Sequence, residues 1–377
     1  MDDRARILWL VKGLGPGGAE RLLTAAAVVR DRDRFDYHAA YLLPWKDALV
    51  PELEAAGVPV HCFEVRDERD VRWAGRLRRF LRDERFDLVH VQSPYAGGIA
   101  RLVAWSLPRS ERPALVATEH NGWSTFALPT RVVNGATLPL SDAVIAVSEH
   151  VERSLWRPYR ARAETIVHGV AIDAVRASLA ERDATRVELG VPPDGILAGT
   201  VANYTEQKDW PNLLRAARRL ADDGVPVRFC AVGQGPLEAE VQALHRELDL
   251  AGVVTLTGFR PDAVRLMAAC DLFVLASRFE GLPVALMEAL ALGLPIVATA
   301  VGGVPEAVTD GVEAVLVPPA RPDLLAGAVA ELVADPARRA RLAAAAGARA
   351  SAFDITRAVR RIEAIYDEVL RRRAGAR

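Results

Sequence analysis

An α/β protein built from two doubly wound parallel-sheet domains is what this sequence predicts, and three observations carry that expectation. Short β-branched runs alternate with longer Ala/Leu/Arg-rich helical patterns from end to end, as parallel βαβ units require. The length, 377 residues, exceeds what a single core usually organises and suits two. The strand-like runs form two series, each large enough for its own sheet.

In the first series, strands are expected at 7–11, 37–43, 58–65, 88–92, 114–118, 143–147 and 165–167. In the second they fall at 196–201, 227–232, 253–257, 272–276, 296–299 and 314–317. The halves are expected to meet near 169–173, giving one domain over 1–170 and another over 171–354. A charged helix over 174–189 follows the junction, and Gly190-Val191-Pro192-Pro193-Asp194-Gly195 leads into the second sheet. The last helical stretch, 355–373, precedes no strand and is expected to return to the first domain, adding 355–377 to it. Two such domains face one another across a central cleft, at the carboxyl ends of their strands, where doubly wound sheets take ligands.

Composition narrows the class. Hydrophobic residues make up 51% and charged residues 26%, as in a soluble globular protein, and a net charge of -1 gives no global attraction to nucleic acid. Lys12, Lys46 and Lys208 are the only lysines in an arginine-rich chain. Cys62, Cys230 and Cys270 stand apart, odd in number, and read as core thiols of a reducing compartment. The first residues are too acidic, and the apolar run after them too short, for a secretory signal. The apolar run over 281–305 is broken by Glu288 and by Pro and Gly, so it is not a membrane span. A cytoplasmic protein is expected, with at most weak peripheral contact at the inner face of a membrane. The histidines lack metal-ligand spacing, and Asp31-Arg32-Asp33 reads as a solvated helix end, so no metal and no cofactor are expected.

The chemistry concentrates after the 272–276 strand. Glu280 and Glu288 are the only charged residues in the apolar, glycine-rich stretch 279–305, where an ionised carboxylate is costly unless paired or hydrogen-bonded. Gly281-Leu282-Pro283-Val284 opens a helix between them, and first-turn amides are an anion site. Diphosphate on those amides, with the two carboxylates accepting from sugar hydroxyls, accounts for the pattern; a surface Glu280 and a solvated Glu288 are the plainer reading. Gly13-Leu14-Gly15-Pro16-Gly17-Gly18 satisfies a dinucleotide-type glycine pattern. The acidic residue that NAD binding needs at the end of the second strand is replaced by Tyr41-Leu42-Leu43-Pro44-Trp45, so the loop is read as a tight backbone turn instead. The basic segment 70–82 reads as the arginine-rich outer face of a helix.

Glu280 and Glu288 match the Glu-x7-Glu motif of retaining glycosyltransferases with the GT-B fold, and the chain most resembles glycosyltransferase family 4. The likeness extends in order through Gly15-Pro16-Gly17-Gly18-Ala19-Glu20-Arg21, Asp87-Leu88-Val89-His90-Val91-Gln92, Val147-Ser148-Glu149, Val167-His168-Gly169-Val170, Gly233-Gln234-Gly235-Pro236-Leu237, Leu256-Thr257-Gly258-Phe259 and Gly302-Gly303-Val304-Pro305-Glu306. It implies two Rossmann-like domains, with a nucleoside-diphosphate sugar held by the second and the acceptor by the first.

What the resemblance implies for the residues is specific. Lys208 binds the donor diphosphate, with Asn203 standing where many relatives carry arginine and Arg278 as a substitute cation. Glu288 holds the ribose, and Glu280 a hydroxyl of the transferred sugar. Gly17 and Gly18 approach the phosphate or the acceptor through their amides, and backbone near Phe259 and Arg260 meets the base. His120 lies near the sugar, and His90, Asn121, Trp123 and Phe126 belong to the acceptor side. His120, Lys208 and Glu280 are the expected catalytic residues. The implied activity is retaining, metal-independent transfer of a hexose, from a UDP-sugar in preference to others, to a glycan, a lipid-linked precursor or a natural product. A non-catalytic nucleotide-sugar-binding protein and an epimerase of related fold remain as alternatives.

Overall fold

A computed structural model of the chain describes residues 4–67 and 70–375. It divides into two compact units, Met1–Gly169 with Ile355–Arg377, and Val170–Asp354.

The first unit is a parallel sheet of β1 (Ala5–Val11), β2 (Phe35–Tyr41), β3 (Val60–Cys62), β4 (Leu88–Val91), β5 (Ala114–Glu119), β6 (Ala143–Ala146) and β7 (Ala163–Thr165), in the order β3-β2-β1-β4-β5-β6-β7. The central strand explains the layering. From Ile7 to Val11 every residue of β1 is buried, because a parallel strand is covered on both faces. Its side chains alternate between two cores. Ile7, Trp9 and Val11 join Leu23 on one side, while Leu8 and Leu10 join Trp73, Leu77 and Leu81 on the other. The C-terminal helix Ile355–Gly375 closes the first of these cores with Ile362, Ile365 and Tyr366, packing on helix Gly18–Val29 and on β5.

The second unit is a parallel sheet of β8 (Ile196–Val201), β9 (Val227–Val232), β10 (Val254–Gly258), β11 (Leu272–Leu275), β12 (Ile296–Thr299) and β13 (Ala314–Val317), in the order β10-β9-β8-β11-β12-β13. Cys230 and Cys270 are buried free thiols, and burial pushes Cys230 up to about 11, so both act as small apolar side chains. In each unit the strand order reverses direction once, at β1/β4 and at β8/β11. The crevice outside the carboxyl ends there is where doubly wound sheets bind.

Two expectations are corrected. The single charged helix over 174–189 is instead helix Ile172–Ala177, a 3-10 turn over Ser178–Glu181, and helix Arg182–Glu188. Arg182 and Arg186 pin the last piece to Asp271, at 2.6 and 3.0 Å, and to carbonyls of residues 268–270, a polar grip that overrides helical continuity. The strand expected over 58–65 shortens to Val60–Cys62, because Glu64 takes a left-handed φ of 50° that a strand cannot hold. Among the described residues no helix is long and apolar enough to cross a membrane.

Candidate active site

The second unit brings its candidate residues together at the β8/β11 switch point. The loop after β8 carries Gln207 and Lys208, and the loop after β11 carries Ser277 and Glu280. Lys208 Nζ donates to Glu280 Oε1 at 2.6 Å, with 19% of the lysine side chain and 3% of the glutamate side chain exposed. Ser277 Oγ donates to the same oxygen at 2.6 Å, and Gln207 Nε2 to Oε2 at 3.0 Å. The buried carboxylate therefore has a partner on each oxygen, which is what makes its burial tolerable.

The two loops are also tied by backbone, since the Arg278 amide donates to the Gln207 carbonyl at 2.8 Å. From β12, Thr299 Oγ1 donates to the Ser277 carbonyl at 2.6 Å. Gly302, at φ +56°, presses on the Glu280 backbone so closely that an added Cβ would stand 1.7 Å from its carbonyl oxygen. A glycine there is required by conformation and by space. Gln207, Ser277 and Thr299 escaped the sequence reading, because nothing in a single sequence marks which polar residues two adjacent loops will pair.

Helix Val284–Ala291 follows, with Pro283 as the residue before its first turn rather than inside it. The helix begins its first turn at Val284 and Ala285, and the Leu286 amide donates to the Pro283 carbonyl at 3.1 Å. Glu288 is half-buried with Val284 and Ala285, whereas Leu286, Met287, Ala289, Leu290 and Ala291 are buried. The helix thus has a partly open face, and Glu288 stands on the face that carries its first turn. Gly281 is buried, and Leu282 and Asn203 are half-buried. Arg278 pairs with Asp209 at 3.1 Å while keeping 54% of its side chain exposed. Phe259 is exposed, and Arg260 is held by Asp262 and Glu188 at 2.7 and 3.2 Å, so what this turn offers a ligand is its backbone and the phenyl ring.

The first unit gathers histidines where the second gathers opposite charges. His120 directly follows β5, and its Nε2–H donates to Gln92 Oε1 at 2.9 Å, which leaves Nδ1 as the acceptor nitrogen. Its ring stacks on that of His168, centroids 5.6 Å apart. His168 Nε2 is buried and has no hydrogen-bond partner among the described residues. Burial first, and for two of the rings their like-charged neighbours second, lowers all three histidines: His90 to about 3, His168 to about 4, and His120 well below its ordinary value. All three are neutral at pH 7.

Two acceptor-side expectations are corrected here. His90 is 1% exposed, and its ring bonds Tyr366 Oη at 2.5 Å and Thr118 Oγ1 at 2.7 Å, so its nitrogens are engaged within the core. Trp123 is also 1% exposed; its Nε1 donates to Glu119 Oε2 at 3.0 Å, and it packs with Leu138, Val144 and Leu155. A loop tryptophan looked like a contact residue, but the buried carboxylate of Glu119 takes its N–H. Asn121 and Phe126 remain half-exposed. In the glycine loop, the Gly17 amide donates to the Gly15 carbonyl at 2.8 Å and is spent there, while Gly18, exposed, opens helix Gly18–Val29. Among the described residues no group of three His, Cys, Asp or Glu side chains is placed to hold a metal ion.

Two doubly wound units with sites at their switch points define the class, and solved structures match it. Anabaena HepE, crystallised with UDP and glucose, is 24% identical, with a TM-score of 0.85 over 97% of this chain and 100% of that one. Sucrose-phosphate synthase from Thermosynechococcus elongatus is 20% identical, with a TM-score of 0.77 over 97% and 99%. The fold is GT-B. Residues 181–349 match the family model described as Glycosyl transferases group 1, and residues 16–174 match Glycosyltransferase Family 4. A D-inositol 3-phosphate glycosyltransferase of Streptomyces bingchenggensis is 30% identical over 322 residues, 79% of this chain and 69% of the relative. The alpha-D-kanosaminyltransferase of Streptomyces kanamyceticus is 26% identical over 315 residues, 79% and 81%. The chain belongs to glycosyltransferase family 4.

Proposed function

We propose that this glycosyltransferase moves a hexose from a nucleoside-diphosphate sugar, a UDP-sugar before others, to a hydroxyl acceptor with retention of configuration. The observation that carries the reading is the Lys208–Glu280 pair at the β8/β11 switch point, beside the first turn of helix Val284–Ala291. Crystal structures of the related HepE fold hold UDP with glucose, and UDP-glucose, which supports the choice of donor.

In this reading the ammonium of Lys208 turns from Glu280 to the diphosphate as donor binds. Charge on the leaving oxygens grows toward the transition state, and Lys208 with the Val284 and Ala285 amides stabilises it. Glu280, still held by Ser277 and Gln207, is then free to accept a hydrogen bond from a sugar hydroxyl, and Glu288 from the ribose. Nδ1 of neutral His120 accepts from a hydroxyl group. The leaving phosphate assists attack on the same face of the sugar, so no protein nucleophile is needed. Lysine and helix amides supply the positive charge, so the reaction runs without a metal.

The acceptor belongs to the first unit and is a glycan, a lipid-linked precursor or a natural product. Release of nucleoside diphosphate, assayed over a panel of donors with chelator present, tests the reading, and NMR of the product's anomeric proton tests retention. Donor binding without release would make the chain a non-catalytic binder. Conversion of donor with no acceptor present would make it an epimerase.

A further inference from the structure

His120 accepts through Nδ1 only if its ring proton sits on Nε2, and the first unit holds the residues that decide this. The chain of contacts starts on the C-terminal helix Ile355–Gly375. Tyr366 is buried, and its Oη accepts from the Trp9 indole N–H at 3.4 Å. An indole only donates, so Tyr366 keeps its own proton for another partner. That partner is His90 Nδ1, 2.5 Å away. The ring proton of His90 is therefore on Nε2, which donates to Thr118 Oγ1 at 2.7 Å.

Two bonds at different edges of the His90 ring fix its plane, and its face then meets the Gln92 amide. Gln92 Nε2 is nearly equidistant from the two ring nitrogens, at 3.2 and 3.3 Å. No point in the ring plane lies that far from both nitrogens without overlapping a ring carbon, so the amide nitrogen stands over the face. The face of a neutral imidazole is electron-rich and receives N–H. A flipped amide would lay its carbonyl oxygen there instead, against like charge. The oxygen is accordingly turned to His120, with Oε1 at 2.9 Å from Nε2. A carbonyl oxygen only accepts, so His120 carries its proton on Nε2 and keeps a lone pair on Nδ1.

Packing alone explains the ring of Tyr366, which meets those of Phe35 and Tyr37 with centroids 5.8 and 6.4 Å apart. It does not explain the hydroxyl, which is costly to bury and could have been omitted by a phenylalanine.

We infer that Tyr366 is a positioning residue for His120: its hydroxyl, acting through the His90 ring and the Gln92 amide, sets the tautomer that leaves His120 Nδ1 an acceptor. The tautomer is a property of the first unit alone. Its consequence for turnover rests on the role proposed above for His120.

Nitrogen-15 NMR of the full chain labelled at histidine reads the tautomer directly, with His120→Asn to assign the signal. The unmutated chain is expected to show a neutral His120 protonated on Nε2. Tyr366→Phe keeps the ring and removes the hydroxyl. It is expected to shift the ratio of the two His120 tautomers by up to about tenfold toward the Nδ1–H form, the bias that one neutral hydrogen bond can impose, and to lower kcat by a similar factor with the donor KM unchanged. Tyr37→Phe is the control. It removes a second hydroxyl of the same core, bonded to Glu363 at 2.8 Å, and should cost stability while leaving the His120 signal in place. If Tyr366→Phe does not fold, Thr118→Val, which removes the other anchor of the His90 ring, carries the test with the same outcomes. A proton on Nδ1 in the unmutated chain overturns the inference, as does a His120 signal that Tyr366→Phe leaves unmoved or that Tyr37→Phe moves equally. A shifted tautomer with unchanged turnover upholds it and removes His120 from the reaction.

Discussion

The two units share a layout and differ in what they place at the point where strand order reverses. The second sets full charges against one another, Lys208 on Glu280 and Arg278 on Asp209. The first sets neutral imidazoles against a carboxamide and hydroxyls, His120 on Gln92 and His90 on Thr118. A paired charge can exchange its partner for a charged ligand at little net cost, because the ligand replaces what it displaces. A buried neutral imidazole offers a lone pair and no net charge. That contrast fits the proposed division of labour, with an anionic donor at the second unit and hydroxyl groups at the first.

The largest effects should come from breaking the charged side of that contrast. Lys208→Ala is expected to cut turnover by about 10²–10³-fold, as the loss of one transition-state donor does. Glu280→Ala should lower turnover similarly and also destabilise the second unit. Removing one member of a buried pair costs about 3–5 kcal/mol, and the part-exposed Lys208 puts this case at the lower end. Steady-state kinetics and denaturant unfolding read the two effects separately, and near-normal turnover in both variants would remove the pair from the site.

Trp123→Phe sharpens the contrast from the other side. It takes a hydrogen bond from a buried carboxyl whose pKa burial already raises, and should cost about 1.5–3 kcal/mol in the first unit. Donor affinity, measured by calorimetry, should not move. If it does, the indole serves more than the packing of its own unit.

The neutral histidines give a pH signature. Their folded pKa values lie below the unfolded value of about 6.5, so unfolded chains bind protons that the folded unit refuses. The stability they contribute is complete above that pH. It declines as pH falls toward 4 and then 3, by at most about 1.4 kcal/mol per pH unit for each proton. Thermal melts between pH 4 and 7 should show the loss, and His168→Asn should flatten it. A melt that does not change over that range would mean the rings are protonated in the folded state.

Arg278→Ala should be the mildest change. The guanidinium is 54% exposed but Asp209 is buried, so the substitution leaves a buried carboxylate without that partner and should cost about 1 kcal/mol or somewhat more, the low end for a buried acceptor that loses one bond. A clear loss of donor affinity in this variant, with no further loss of stability, would assign Arg278 the phosphate contact that Asn203 cannot make.

The fold was largely legible because β-branched runs separated by helical patterns leave few alternatives to a pair of parallel sheets. The charged stretch after the junction was not, since arginines that reach carbonyls on a neighbouring segment leave no periodic trace. Within the site, Glu280 stood out because a carboxylate in an apolar run needs an explanation. Its partners Gln207 and Ser277 did not, because ordinary polar residues acquire meaning only when strand register places them opposite one another. Trp123 shows the converse error: an aromatic residue in a loop was assigned to the ligand, and the core claimed it.

The three lysines carry a practical consequence. Lys12 directly follows β1, Lys46 lies in the turn after β2 against Gly13, and Lys208 follows β8, so each sits beyond the carboxyl end of a strand in a chain whose other cations are arginines. An amine-directed reagent would therefore label side chains only at the functional edges of the two sheets. With donor present, protection at Lys208 and continued labelling at Lys46 would map occupancy by mass spectrometry in the unmutated protein.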